Sequence, residues 1–388
     1  MSDVTLNSLV VLRIWVKSGG RCAYAGCNEN LLTDNLTQYD AKTGYLAHIV
    51  AEKPNGPRGH PTRSEELKAD PANIMLLCGK HHKMVDVDQV KEHPEELLLR
   101  YKREHEERIE LQTGIHPSKR THVVLFGTSI QDKRGLVNFE LAHQAIMPER
   151  YPAGMRGIRI DLNEVGVGPA DDGYWELAAK LIKKKAAALH EKEDTNGIEI
   201  NHLSIFGLAQ IPLLIHFGRV VGDIVPADIY QRHRKPVDWR WRPMSSQGFN
   251  YTLITPEECA EECSVSVILS LSGRVHREEV TRVLRKELPT YEITIATPGR
   301  EYLQSQEQLE LFTREWRELM TRIRAVHGPE CEIHVFPAVP VSVAIEMGRA
   351  MLPAADPVMH LYNLEKLDAK SSLFKFALTL HREIAAPL

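Results

Sequence analysis

The sequence predicts an α/β protein in two parts. A small zinc-braced domain is expected over residues 1–115, and two fused Rossmann-like halves over 120–388, about 120–255 and 256–388. Three observations carry this reading. Cys22, Cys27, Cys78 and His81 have the type and spacing of a tetrahedral structural zinc site joining two distant segments. A stretch of the larger part recurs at an offset of 130 residues, the mark of a duplicated unit. Between the parts, a charged helical pattern from Pro94 to Leu111 stops at Thr113–Gly114 and Pro117, a natural boundary.

Composition limits the functional classes. Of 388 residues, 43% are hydrophobic and 26% charged, which is ordinary globular usage. The net charge of −4 supplies no overall field that would draw the chain onto nucleic acid. DNA binding would therefore rest on local clusters and a bound cation. Six cysteines, three of them at metal-ligand spacing, suggest a reducing compartment and not a disulfide framework. MSDVTLNSLVV lacks the basic start and apolar core of a signal peptide, and no apolar run is long enough to span a bilayer. A cytoplasmic protein with no membrane partner is expected.

Taken in order, Leu6 to Lys17 has helical apolar spacing and ends at Gly19–Gly20. The first metal pair follows in RCAYAGC, then His48 in YLAHIVA. A basic Pro/Gly-rich stretch, KPNGPRGHPTR, leads to Asn73 in NIMLLC and to Cys78, His81 and His82 in LLCGKHH. Past the boundary, THVVLFGTSI reads as a buried strand and DDGYWELAAKLIKKKAAALHEK as an amphipathic helix. HLSIFGLAQIPLLIHFGRVVG then reads as strand, loop and helix, and EIHVFPAVPVSVAIEMGRAML repeats it without a gap. Phe206 aligns with Phe336, Ile215 with Ile345, and Gly218–Arg219 with Gly348–Arg349. VSVILSLSG matches HVVLFGTSI upstream, and each copy closes on a short strand, DIYQ or HLYN.

Two chemistries are suggested. A zinc knuckle needs only four ligands and often does nothing beyond bracing or binding. His48, Asn73 and His82 lie outside that set. One histidine can act as base and another can hold a divalent ion, which is what phosphodiester hydrolysis requires. Asn73 can hydrogen-bond the backbone near His48 and fix its ring. Lys53, Arg58 and Arg63 could contact phosphates or form a solvated loop. In the duplicated part, a crevice between facing halves would lie at the carboxyl ends of the strands, with helix amino termini favouring phosphate. Gly207, Leu208, Gln210, Pro337, Ala338 and Pro340 are placed there by the repeat, and Tyr362 could stack on a base. In DWRWRP, Trp239 and Trp241 alternate with Arg240 and Arg242. That run could clamp a nucleotide or form an edge strand burying both rings. Phe206 and Phe336 read as core, and Cys259, Cys263 and Cys331 as buried thiols.

The order AHI, NIMLLC and C-x2-H-H followed by Asp86 resembles the HNH endonuclease family and its ββα-metal fold. By that resemblance His48 is the general base, Asn73 the orienting amide, and His82 a ligand of catalytic Mg²⁺ or Mn²⁺, with His81 left to the zinc. Many members carry a further ligand just before the base. Here that position is Ala47, leaving Asp40, His60 and Asp86 as candidates to complete the site. Ile333 to Tyr362, with HVFPAVPVSVAIEMGRAM and HLYN, resembles the SAVED domain, a fused pair of CARF-like sensor units. The combination looks like an effector of CBASS anti-phage defence. It implies a cyclic di- or trinucleotide messenger, a homo-oligomer (dimer or tetramer) on activation, and a double-stranded DNA substrate. A constitutive restriction-type nuclease and a non-catalytic zinc-stabilised sensor are the two rival expectations.

Overall fold

The computed structural model describes residues 6–34, 36–127, 129–130, 133–134, 137–243, 248–257, 264–366 and 372–382. The chain forms two compact units, Met1–His116 and Pro117–Leu388. No described helix is long and apolar enough to cross a membrane.

The first unit begins with α1 (Ser8–Lys17), where Asn7 Oδ1 accepts from the Leu9 amide at 2.9 Å and caps the helix. Gly19 and Gly20 both have positive φ, which ends α1 and turns the chain toward Cys22. Then come β1 (Gly44–His48), α2 (Arg63–Leu67), β2 (Ile74–Cys78), α3 (Gly79–Lys83) and α4 (Glu95–Thr113). β1 and β2 are antiparallel, with Gly44 opposite Cys78 and His48 opposite Ile74. All five residues of β2, IMLLC, are buried, so this strand is the centre of the small core, with Ile14, Leu31, Ile49 and Leu98 around it. α3 follows β2 directly, giving the local order strand, strand, helix.

The second unit runs β3 (Arg120–Gly127), β4 (Ser129–Ile130), β5 (Lys133–Arg134), α5 (Phe139–Ile146), β6 (Tyr151–Pro152), β7 (Ile158–Asp161) and α6 (Tyr174–Ala186). It continues through β8 (Leu203–Leu208), α7 (Ile211–Val221), β9 (Ala227–Tyr230) and β10 (Thr252–Ile254). The second copy holds β11 (Ser264–Ser270), α8 (Arg277–Leu284), β12 (Thr290–Thr294), α9 (Gln306–His327), β13 (Glu332–Ala338), α10 (Val341–Arg349), β14 (Met359–Lys366) and β15 (Ser372–Leu380). In the first sheet β6 and β7 pair with one edge of β3, followed by β8 and β9, all parallel. The second sheet is ordered β10-β12-β11-β13-β14-β15, with a parallel centre and antiparallel outer strands. The central strands are near-continuous apolar runs, as parallel strands covered on both faces must be.

The repeated residues turn out to be those that join the halves. α7 and α10 cross at Gly218 and Gly348. A Cβ on Gly218 would come within 1.9 Å of the Ile345 carbonyl oxygen, and one on Gly348 within 1.9 Å of that of Ile215. The contact is reciprocal, as at a twofold interface, and both sheets share one hydrophobic core around it. Gly348→Ala is expected to cost on the order of 3 kcal/mol through backbone overlap. Melting of the full chain should place the Tm of this unit lower by roughly 5–10 °C.

Candidate functional site

In the first unit Cys22, Cys27, Cys78 and His81 converge, with one donor atom from each lying within 4.8 Å of the others. The Cys78 Sγ and Cys22 Sγ atoms lie 3.1 and 3.7 Å from His81 Nδ1. Four donors on one Zn²⁺ sit about 3.5 Å apart, so this set fits that ion. Burial pushes the Cys22 and Cys78 thiols up and, with the nearby Lys80 charge, pushes the His81 imidazole down. A divalent cation is what would hold the two thiols as thiolates. Tyr24 stacks on His81 with centroids 4.2 Å apart and an angle of 1°, fixing the ring.

His48 ends β1. Its Nε2 faces the Lys68 carbonyl oxygen at 2.9 Å. A carbonyl only accepts, so Nε2 carries the proton and Nδ1 holds the basic lone pair. Asn73 is buried: its Oδ1 accepts from the Val50 amide and its Nδ2 donates to the Val50 carbonyl, both at 2.8 Å. It thus fixes the backbone two residues past His48, while Lys68 aligns the ring itself. His82 extends from α3, stacks on Tyr45 at 4.8 Å, and places Nε2 3.3 Å from Asp86 Oδ2. Burial raises the Asp86 carboxyl, but hydrogen bonds from His82 and Arg58 outweigh it and hold the group below the usual carboxylate range.

Arg58 is the residue whose role sequence reasoning missed. Its guanidinium donates to the carbonyls of His48 (3.3 Å), Ile49 (2.6 Å) and Val85 (3.0 Å), and to Asp86 Oδ1 (2.6 Å). One buried cation therefore brackets the His48 backbone and the His82–Asp86 pair. This corrects the phosphate-contact reading for Arg58, and Arg63 is likewise engaged, with Glu95 at 2.9 Å. Of the candidates to complete the site, Asp86 lies beside His82. His60 accepts from the Thr62 and Arg63 amides at the start of α2, and Asp40 pairs with Thr33 in an isolated bridge. Ala47 is 1% exposed and belongs to the core, so its position faces away from solvent. Among the described residues no third His, Cys, Asp or Glu donor joins His82 and Asp86. Two protein donors still suit Mg²⁺ or Mn²⁺, which keep several waters and take phosphate oxygens.

In the second unit, the loops after β8 and β13 lead into α7 and α10 as expected, but most of the proposed contacts lie inside. Gly207 is buried, and a Cβ there would sit 2.6 Å from Ile345 Cδ1, so its smallness admits the opposite half. Pro337 and Pro340 are buried, while Leu208 and Ala338 are partly covered. Gln210 Oε1 accepts from the Tyr174 hydroxyl at 3.3 Å. Two expectations are corrected. Trp239 is 0% exposed and meets Phe206 edge-on at 5.3 Å, so it is core and cannot clamp a ligand. Tyr362 is 7% exposed and stacks on Phe336 at 4.3 Å, with its hydroxyl on His334. Trp241 is half-buried beside His233. Cys331 is buried; Cys259 and Cys263 lie outside the described residues.

The polar surface lies just past β9. Gln231 Oε1 accepts from the amide and hydroxyl of Ser342 at 3.3 and 2.7 Å, linking the first half to the start of α10. Beside it a small depression is lined by Arg232, Arg234, Lys235, Arg242 and Arg300, with Glu301 as the one acidic side chain among them. Arg232 lies over the Trp239 ring at 5.6 Å, and Arg242 is held by Gln304 Oε1 at 2.6 Å and the Lys235 carbonyl at 2.9 Å. Sequence reasoning weighed the tryptophans of this stretch and passed over RHRK just before them.

The duplicated α/β unit thus carries a basic depression between its halves. The family model for SAVED, described as "SMODS-associated and fused to various effectors sensor domain", matches residues 181–380, just over half of the chain. The chain belongs to the SAVED family. Solved structures similar to it include the Acinetobacter baumannii Cap4 SAVED/CARF-domain containing receptor with the cyclic trinucleotide 3′3′3′-cAAA, at TM-score 0.44 and 15% identity, covering 82% of this chain and 67% of that one. The same receptor with 2′3′3′-cAAA gives 0.41 and 14%, covering 82% and 66%. The Moraxella osloensis Cap4 receptor gives 0.42 and 13%, covering 76% and 59%. The SAVED chain therefore spans 66% or less of the length of some of these receptors. No curated protein matches it.

Proposed function

We propose that this SAVED protein is a cyclic-oligonucleotide-activated, metal-dependent DNA endonuclease of CBASS-type anti-phage defence. The observation that supports the nuclease most is the grouping around Arg58. It ties the backbone of His48, a histidine whose Nδ1 holds the lone pair, to a His82–Asp86 donor pair. The neighbouring Cys₃His set suits a structural Zn²⁺. HNH-like chemistry then assigns each residue a task. His48 Nδ1 accepts the proton of the water that attacks phosphorus, while the Lys68 carbonyl keeps the ring in the required tautomer. Asn73 holds the strand end on which His48 sits. His82 and Asp86 would hold Mg²⁺ or Mn²⁺, which supplies charge neutralisation at the phosphate and the leaving oxygen.

In the sensor unit, the exposed Arg234, Lys235 and Arg300 around this shallow depression would meet the phosphates of a ligand lying across it, with Arg242 held in place beside them, and the α10 amino terminus adds its dipole. A cyclic di- or trinucleotide bound there favours assembly into a dimer or tetramer, pairing nuclease domains so that each cuts one strand of a duplex.

Arg234 and Arg300 are exposed, so their removal should leave the fold intact. The double variant Arg234→Glu, Arg300→Glu is expected to weaken cyclic-nucleotide binding about 100-fold. Calorimetric titration would measure it, beginning with the cyclic trinucleotides 2′3′3′-cAAA and 3′3′3′-cAAA that the Acinetobacter baumannii Cap4 receptor holds. Unchanged affinity for a nucleotide that binds the parent would place the ligand elsewhere.

A further inference from the structure

A second donor cluster lies on one face of the second sheet, away from the carboxyl strand ends. Glu332 and His334 stand two apart on β13, and His360 is the direct register partner of His334 on β14. One donor atom from each of the three lies within 4.8 Å of the others. The His334 and His360 rings stack at 4.8 Å, and His360 Nε2 is 3.2 Å from Glu332 Oε2. Two donors on one zinc-sized ion sit about 3.4 Å apart, so that spacing already suits shared coordination.

The far side of each ring is already committed. His334 Nδ1 lies 3.0 Å from the Tyr362 hydroxyl, and His360 Nδ1 lies 3.0 Å from Thr379 Oγ1 on β15. With both Nδ1 atoms hydrogen-bonded to hydroxyls, both Nε2 atoms are left to ligate, which is how outer-shell partners orient metal-binding histidines. The equivalent place in the first half is built differently. There Ser204 pairs in register with Asp228, and the cation beside Asp228 is the Arg150 guanidinium at 2.6 Å.

We propose that Glu332, His334 and His360 form a binding site for a borderline divalent transition-metal ion, Zn²⁺ above all, that clips β13 to β14. Two imidazoles and one carboxylate match the ligand preferences of Zn²⁺ and leave a fourth position for water. The site is independent of the cysteine cluster and of the basic depression.

The test is equilibrium dialysis of the full chain against micromolar Zn²⁺, with metal counted per chain. His360→Gln is expected to lose about one equivalent relative to the parent, and Glu332→Gln to weaken the same equivalent. The difference is taken between proteins with intact cysteines, so the state of that cluster cancels. Thr379→Val, which leaves all three ligands in place, should lower the affinity of that equivalent at least about 10-fold. Circular dichroism checks that each variant is folded. Equal zinc content and equal affinity in parent and variants would overturn the proposal and leave an ordinary His360–Glu332 ion pair.

Discussion

Replacing His48 with alanine is expected to lower DNA cleavage by about 10²–10⁴-fold while leaving cyclic-nucleotide binding unchanged. The size follows from the task assigned to Nδ1: without it no positioned base accepts the proton of the attacking water. The ring is held through one hydrogen bond, from Nε2 to the Lys68 carbonyl, so little fold stability should be lost with it. His82→Ala should give a comparable loss, but with a different dependence on metal. Raising Mg²⁺ or Mn²⁺ should partly restore a protein whose ion ligand is missing, and should not restore one whose base is missing. Single-turnover cleavage across a metal titration separates the two roles. A His48→Ala protein that cuts at the parent rate would show that the base lies elsewhere.

Removing zinc is expected to unfold the first unit and leave the sensor unit folded. Cys22 and Cys78 are buried, and their thiols, like His81, sit between α1, β2 and α3 with only a small apolar core around them. Structural Zn²⁺ at such sites contributes on the order of 10 kcal/mol at neutral pH, more than a unit of this size retains in reserve. Cys78→Ser or a strong chelator should therefore abolish the thermal transition of residues 1–116 and expose them to proteolysis. Calorimetry should still show the transition of residues 117–388. Loss of cutting with retained nucleotide binding would accompany it. A first unit that keeps its melting transition in chelator would mean that the cysteine cluster braces nothing.

Much of the architecture was legible because it rests on local patterns. The central parallel strands are near-continuous apolar runs, and the duplication shows as aligned residues. The alignment even held the interface, since Ile215, Gly218, Ile345 and Gly348 are the residues that meet where α7 crosses α10. The metal-ligand spacing likewise brought four donors to one place. What was not legible depends on which way a side chain points. Alternation of Trp with Arg in DWRWRP is compatible with either face inward, and the structure buries Trp239 while Arg232 covers it. Tyr362 ends up against Phe336, because the register of β14 on β13 decides the matter and no residue announces it. Arg58 sits in a loop of prolines and glycines that looks solvated, and only its positive φ and four hydrogen bonds reveal an internal tie. The cluster of Glu332, His334 and His360 joins two strands separated by a helix, so its members are dispersed in sequence.

The most direct measurement is plasmid degradation by the purified full chain in Mg²⁺, with a panel of cyclic di- and trinucleotides and a control without nucleotide. No cutting is expected in the control, and rapid cutting with one or two members of the panel. Equal cutting in every lane, the control included, would contradict gating by the sensor unit and leave a constitutive nuclease.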